Sequence, residues 1–111
     1  MRYPHTVVRE RGQVVSGGSS GGEDIDWDLP TDDESYRANV QSISSVEDVV
    51  AQDRVETRYR VVLEPDADVT AVDRLRWNSK SLTVQGDVED WRQGSPQSWH
   101  KLLIARHVAG G

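Results

Sequence analysis

Hydrophobic positions along this chain recur mostly at a period of two. The plainest case is residues 54–64, where Val55, Thr57, Tyr59, Val61 and Leu63 alternate with Arg54, Glu56, Arg58, Arg60 and Glu64. That pattern predicts a strand with one buried and one wet face. Residues 36–44 read the same way, with Tyr36, Ala38, Val40 and Ser42 on one face and Arg37, Asn39 and Gln41 on the other. Residues 3–9 are β-branched, start near Pro4 and stop before Gly12, which suits a first strand. Pro65-Asp66-Ala67-Asp68 supplies turn residues. Residues 74–77 and 81–85 then predict two short strands around a tight turn at Asn78-Ser79-Lys80, with Leu75, Trp77, Leu82 and Val84 available for the core. The last strand, over 97–108, has Trp99, Leu102, Leu103, Ile104 and Val108 on both faces, as a central strand or half of an interface would.

The period changes in one place. Ser44 with Glu47 fits a capping box, and Val46, Val49 and Val50 form one apolar stripe, so a short helix is expected over 46–52. Two stretches lack a period. Ser16-Gly17-Gly18-Ser19-Ser20-Gly21-Gly22 is flexible-linker chemistry, and the acidic tract after it has only Ile25, Trp27 and Leu29 as apolar members. Residues 16–35 are therefore expected to protrude as a long flexible acidic loop. Residues 86–96 form a second polar loop. Five or six short strands, one small helix and 16 Val against 9 Leu plus Ile predict a mainly β fold, a small antiparallel sheet rolled into a barrel or sandwich.

Length and composition narrow the reading. A chain of 111 residues is one domain, 1–111, and 35% hydrophobic residues make for a thin core. The absence of cysteine removes disulfide frameworks, thiol catalysis and Cys-rich zinc modules. No charge-free apolar run exceeds Leu102-Leu103-Ile104-Ala105, so neither a membrane span nor a secretory signal is expected. The net charge of −6 is unevenly spread: Glu23, Asp24, Asp26, Asp28, Asp32, Asp33 and Glu34 fall within 16–35 with no Lys or Arg. The rest of the chain is nearly neutral, and its densest basic group is Arg54, Arg58 and Arg60, too little for a nucleic-acid binder that works by neutralising phosphates.

Enzyme chemistry finds little support, and no catalytic residue, cofactor site or metal site is assigned. His5, His100 and His107 fall on predicted strands, and the latter two, seven apart, point to opposite faces. Carboxylates are dense only in the flexible segment, where nothing holds a productive geometry. Asp24-Ile25-Asp26-Trp27-Asp28 imitates the start of an EF-hand loop, but Leu29 and Ser35 stand where the motif wants Gly and Glu. The Gly/Ser run lacks the Gly-Lys-Ser/Thr ending of a phosphate loop. Four Trp with no Phe are more informative. Trp27 and Trp91 lie in polar stretches, where aromatics commonly anchor partners; Trp77 reads as core.

Three stretches carry a resemblance: Met1-Arg2-Tyr3-Pro4-His5-Thr6-Val7, Asp68-Val69-Thr70-Ala71-Val72-Asp73-Arg74-Leu75-Arg76-Trp77, and Gly86-Asp87-Val88-Glu89-Asp90-Trp91 before the terminal strand. In this order and spacing, over nearly the whole chain, the sequence resembles the head-to-tail stopper, or head-closure connector, proteins of long-tailed phages of actinobacteria. After Trp91 it takes a different course. The resemblance implies a small β-barrel with a short helix, assembled as a ring of sixfold or twelvefold symmetry in the virion neck. Its partners there are copies of itself, the head-tail adaptor on the portal side, the tail terminator or tail tube, and packaged double-stranded DNA held without sequence-specific contacts. It further implies a protein made in the host bacterial cytoplasm and a projecting loop that closes the DNA channel.

On this expectation the gating loop is residues 16–35, with Gly17, Gly18, Gly21 and Gly22 as hinge and Glu23, Asp24, Asp26, Trp27 and Asp28 as the charged part. Carboxylates repel phosphates, so such a loop obstructs DNA without sticking to it. Residues 86–96, with Trp91 and Arg92 at the tip, are the runner-up. Arg58, Arg60, Trp91, Arg92, Trp99 and Leu103 are the candidates for contact with neighbouring subunits. The competing class is a monomeric SH3- or OB-type barrel that recruits a protein partner through Trp27 and its acids.

Overall fold

The computed structural model describes residues 3–16, 23–48 and 54–109. Eight strands account for most of them: β1 (His5–Arg11), β2 (Gln13–Ser16), β3 (Glu23–Asp26), β4 (Asp32–Asp48), β5 (Arg54–Leu63), β6 (Arg74–Trp77), β7 (Lys80–Trp91) and β8 (His100–Ala109). Six close into a barrel in the order β1-β4-β5-β8-β7-β6, every pairing antiparallel, while β2 and β3 form a separate two-stranded hairpin between β1 and β4. Closure leaves the barrel no open edge. Among the described residues no helix is long and apolar enough to cross a membrane.

The alternating patterns become the inner wall. Val7, Ala38, Val40, Tyr59, Val61, Leu63, Leu75, Leu82, Val84, Leu103 and Ala105 are buried together, and Trp77 packs against them, edge-on to both Tyr59 and His5. The hairpin between β6 and β7 turns through Asn78 and Ser79, both with positive φ, as a two-residue turn matched to the strand twist requires.

Three expectations are corrected. The helix over 46–52 is not formed in its described part: Val46, Glu47 and Asp48 pair with Glu56, Val55 and Arg54 as the end of β4. A seven-residue helix is marginal and its valines favour strand, so extending the β4–β5 ladder wins; residues 49–52 lie outside the described residues. The loop over 86–96 is strand as far as Trp91. Between Gln85 and Glu89 the register slips, with β7 advancing four residues while β8 advances two from Ile104 to Leu102. Gly86, at φ +72°, takes up the bulge, and Val88 turns back against the core. Third, the acidic stretch is not wholly loop, because Glu23–Asp26 pairs with Gln13–Ser16 and Asp32–Ser35 pairs with β1.

One end of the barrel is shut by the connection from β5 to β6. Ala67, Val69 and Asp73 of this segment are buried. Arg9 and Arg11 follow Val7 on alternate positions of β1 and hold it in place. Arg11 grips Asp73 bidentately, with Nε and Nη2 each 2.9 Å from a carboxylate oxygen, and reaches Asp68 at 3.1 Å. Arg9, 3% exposed, donates to the Asp68 carbonyl at 3.1 Å and meets the Asp32 carboxylate at 3.3 Å. Lys101 Nζ donates to the Ala67 carbonyl at 2.7 Å. Burial alone raises the Asp73 pKa, but hydrogen bonds donated by Arg11 and the Thr70 amide outweigh it and hold the carboxylate below its ordinary value of 3.8. Asp68 is lowered too, chiefly by its hydrogen bond from Arg11.

Because these folded-state pKa values are depressed, the stabilisation is present above the unfolded-state value and lost as pH falls through the folded one. Asp73→Asn is therefore expected to cost about 2 kcal/mol at pH 7. In chemical denaturation as a function of pH, the gap between wild type and variant narrows below about pH 4; a gap constant down to pH 2 contradicts the clamp.

Candidate functional site: the acidic arm and the barrel surface

The segment that joins β1 to β4 leaves the barrel at Gly12 and returns at β4. Gly12 is buried, and a Cβ there would run into Cγ2 of Ile25 and lie 3.1–3.2 Å from the Trp27 ring. This close approach lets the β2–β3 hairpin fold its apolar side, Ile25 and Trp27, down onto the start of the arm. Trp27 lies over the Arg74 guanidinium, 3.8 Å from carbon to ring centroid, a cation–π contact that ties the arm to β6. The following turn is closed by the Asp28 amide donating to Asp26 at 3.0 Å and by Gln13 donating to the Pro30 carbonyl at 2.8 Å.

The acids are thereby sorted. Asp32 is drawn into the Arg9 contact, Asp26 caps a turn and Asp33 accepts from Thr31. Asp24, Asp28 and Glu34 stay exposed, as do Leu29 and Val14. Of the gating-loop candidates, Glu23, Asp24 and Asp26 stand on β3, Trp27 is packed on the barrel and Asp28 follows in the turn. Gly17, Gly18, Gly21 and Gly22 lie outside the described residues. Among the described residues no group of His, Asp and Glu is arranged to hold a metal ion.

The interface candidates separate into three kinds. Arg58 and Arg60 are exposed on the outside of β5. Trp91, Arg92 and Trp99 form a cluster around the short 3-10 turn Pro96–Ser98. In it Trp91 stacks on His100 at 6.1 Å, and Arg92 lies 5.2 Å over the Trp99 ring while bonding to Asp90. Trp91 keeps 39% of its surface exposed, but the Trp99 Nε1 is buried without a partner. Leu103 is corrected outright: it is 1% exposed and belongs to the barrel core. The terminal strand carries aliphatic residues on both faces, and strand parity sends Leu103 inward with Ala105 while Leu102 and Ile104 face out.

The histidines have separate local roles. His5 Nδ1 accepts from the Val40 amide at 3.0 Å, His100 stacks on Trp91, and His107 Nδ1 lies 3.1 Å from the Ser81 carbonyl. Sequence reasoning passed over Arg9, Arg11, Asp68, Asp73 and Gly12. The available signal was an arginine two positions after Val7, where alternation calls for an inward residue.

No protein-family model and no curated protein matches the sequence.

Two outcomes follow. Gly12→Val forces Ile25 and Trp27 off their seat, so hydrogen exchange at the β2–β3 amides is expected to quicken while core barrel amides keep their protection; unchanged hairpin amides contradict the seating. Leu103→Ala is expected to lower stability by about 3 kcal/mol in denaturant titration, whereas Arg60→Ala shifts it by no more than about 0.5 kcal/mol.

Proposed function

We propose that this chain is a structural protein of a bacteriophage neck, forming a ring between the portal-bound adaptor and the tail, joining head to tail and closing the DNA channel. The reading rests on the resemblance to head-to-tail stoppers. The observation that carries it is a small closed barrel bearing an acidic arm between β1 and β4 that contributes nothing to the barrel wall. In a ring, one arm per subunit would be brought toward a common axis. The arm's four carboxylates, Glu23, Asp24, Asp26 and Asp28, with Asp32, Asp33 and Glu34 following at the start of β4, give a segment that phosphate repels, suited to obstructing DNA and unsuited to binding it. Burial of Leu103 shifts the expected subunit contacts to residues that remain on the surface, Arg58, Arg60, Trp91 and Arg92.

The arm is also the better of the two gate candidates. The alternative over 86–96 is strand to Trp91, which leaves only a short connection around Pro96–Ser98.

Electron microscopy of virions labelled for this protein tests the role: density as a ring in the neck supports it, and absence from the particle rejects it in favour of a stand-alone binding module. Deleting residues 18–30 removes β3 and Trp27 but none of the six barrel strands. The variant is expected to fold and to join heads to tails while filled heads lose DNA, scored as the ratio of empty to full particles. Stable full heads would reassign the gate.

A further inference from the structure

The wall is closed only where all six strands stand together. On β4 the pairing with β1 stops at Ala38 opposite His5, but β4 itself runs on to Asp48. Past that level it keeps a neighbour on one side alone: β5 follows it as far as Arg54, and β8 follows β5 as far as Ala109. On the far side of β8, β7 is left behind at the pair of Thr83 with Arg106. A three-stranded ribbon of β4, β5 and β8 therefore rises past the closed wall. Among the described residues no strand pairs with the outer edge of β4 over 39–48.

The backbone fixes which groups this edge offers. In an antiparallel ladder successive residues turn their N–H and C=O alternately to the two neighbours. The Val40 amide donates to Nδ1 of His5, 3.0 Å away, so the backbone of Val40 turns to the β1 side and that of Ser42 does the same. The register then slips between Ser42 and Ser44, which sets Ile43 and Ser44 both against Arg58 and moves the alternation on by one. Past the bulge it is Ser45, opposite Thr57, and Glu47, opposite Val55, whose backbone turns outward. The His5 side chain meets the first outward amide; no strand among the described residues meets those of Ser42, Ser45 and Glu47. Exposed edges are ordinarily guarded by charge or proline. From Ala38 to Val46 there is neither, and Ile43, at the one irregularity of the edge, is 45% exposed.

We infer that the outer edge of β4 over 42–47 is a docking site for an extended segment of a partner protein, which adds to the ribbon as a further strand. The chemistry of the occupant follows from the edge. Main-chain hydrogen bonds at Ser42, Ser45 and Glu47 call for an extended backbone. The uncharged run over 38–46 favours a segment uncharged through its middle, and the exposed Ile43 offers it an apolar contact. A net charge of −6 per copy sets this chain against a second copy of itself and favours a neutral or basic partner. The site stands independently of the neck role, because it rests on the strand pairing alone.

Binding of a labelled strand peptide to the purified full chain tests the site. The probe is four Thr-Val repeats between two lysines: extended, apolar on one face and basic at its ends. Fluorescence anisotropy is expected to show saturable binding with a Kd of about 0.1 mM. With the peptide at about 1 mM, hydrogen exchange at the Ser42, Ser45 and Glu47 amides is expected to slow about tenfold, while the Val46 amide, which faces β5, is unchanged. Ser45→Pro removes one outward N–H and no bond to β5, so it is expected to leave the unfolding midpoint nearly unchanged and to weaken the peptide at least tenfold. Should proline at that position unfold the ribbon, Glu47→Pro makes the same test nearer its end. No binding up to about 1 mM overturns the inference, as does binding that both proline variants keep. A chain that sediments alone as a dimer, and as a monomer when it carries Ser45→Pro, gives the edge to a second copy and overturns the partner.

Discussion

The barrel depends on two arginines at the end of its first strand. A six-stranded barrel has two open ends, and in a domain with this few large apolar residues an open end exposes the core. The segment between β5 and β6 covers one end with Ala67 and Val69, too small to hold it there by burial alone. Arg11 on Asp73, and Arg9 on Asp68 and Asp32, supply the rest. Asp73 is fully buried, so its charge is tolerable only because the bidentate guanidinium and the Thr70 amide meet it. The same clamp ties β1 to the β5–β6 connection, across 57 to 62 positions of the chain.

The clamp also fixes where the arm begins. Arg9 reaches Asp32, the first residue of β4, while Gly12 sits three residues beyond Arg9 under Ile25 and Trp27. Both ends of the acidic segment are thus tied to the same region of the barrel. Its charge is divided between acids consumed by local contacts and acids presented to solvent. Despite the high charge density, Ile25 and Trp27 dock β2 and β3 on a seat made by Gly12 and Arg74.

How much of the site was legible follows from the range of the interactions involved. Alternation along β5 placed Arg58 and Arg60 on the outside, and the glycine content with the acidic tract marked the arm, both from neighbouring residues alone. Trp27 looks exposed from its polar sequence neighbours, since its seat is built from Gly12 and Arg74, 15 and 47 positions away. Leu103 is ambiguous from its neighbours, since a strand apolar on both faces does not say which face is inward. The polar residues after Gln85 suggest a loop, but they continue a strand through a bulge at Gly86.

The amino-acid sequence by itself determined the class of the fold, its main strands, the tight turn at Asn78 and Ser79, and the segregation of negative charge into one segment. These are set by side-chain alternation, turn chemistry and composition, which act over a few residues. Only the tertiary structure decided that Val46–Asp48 extends a strand, that Leu103 is core, and that Arg9 and Arg11 close the barrel end. Each of those depends on pairing between segments distant in the chain. There the gain from a completed ladder, or from a buried ion pair, overrides the local preference.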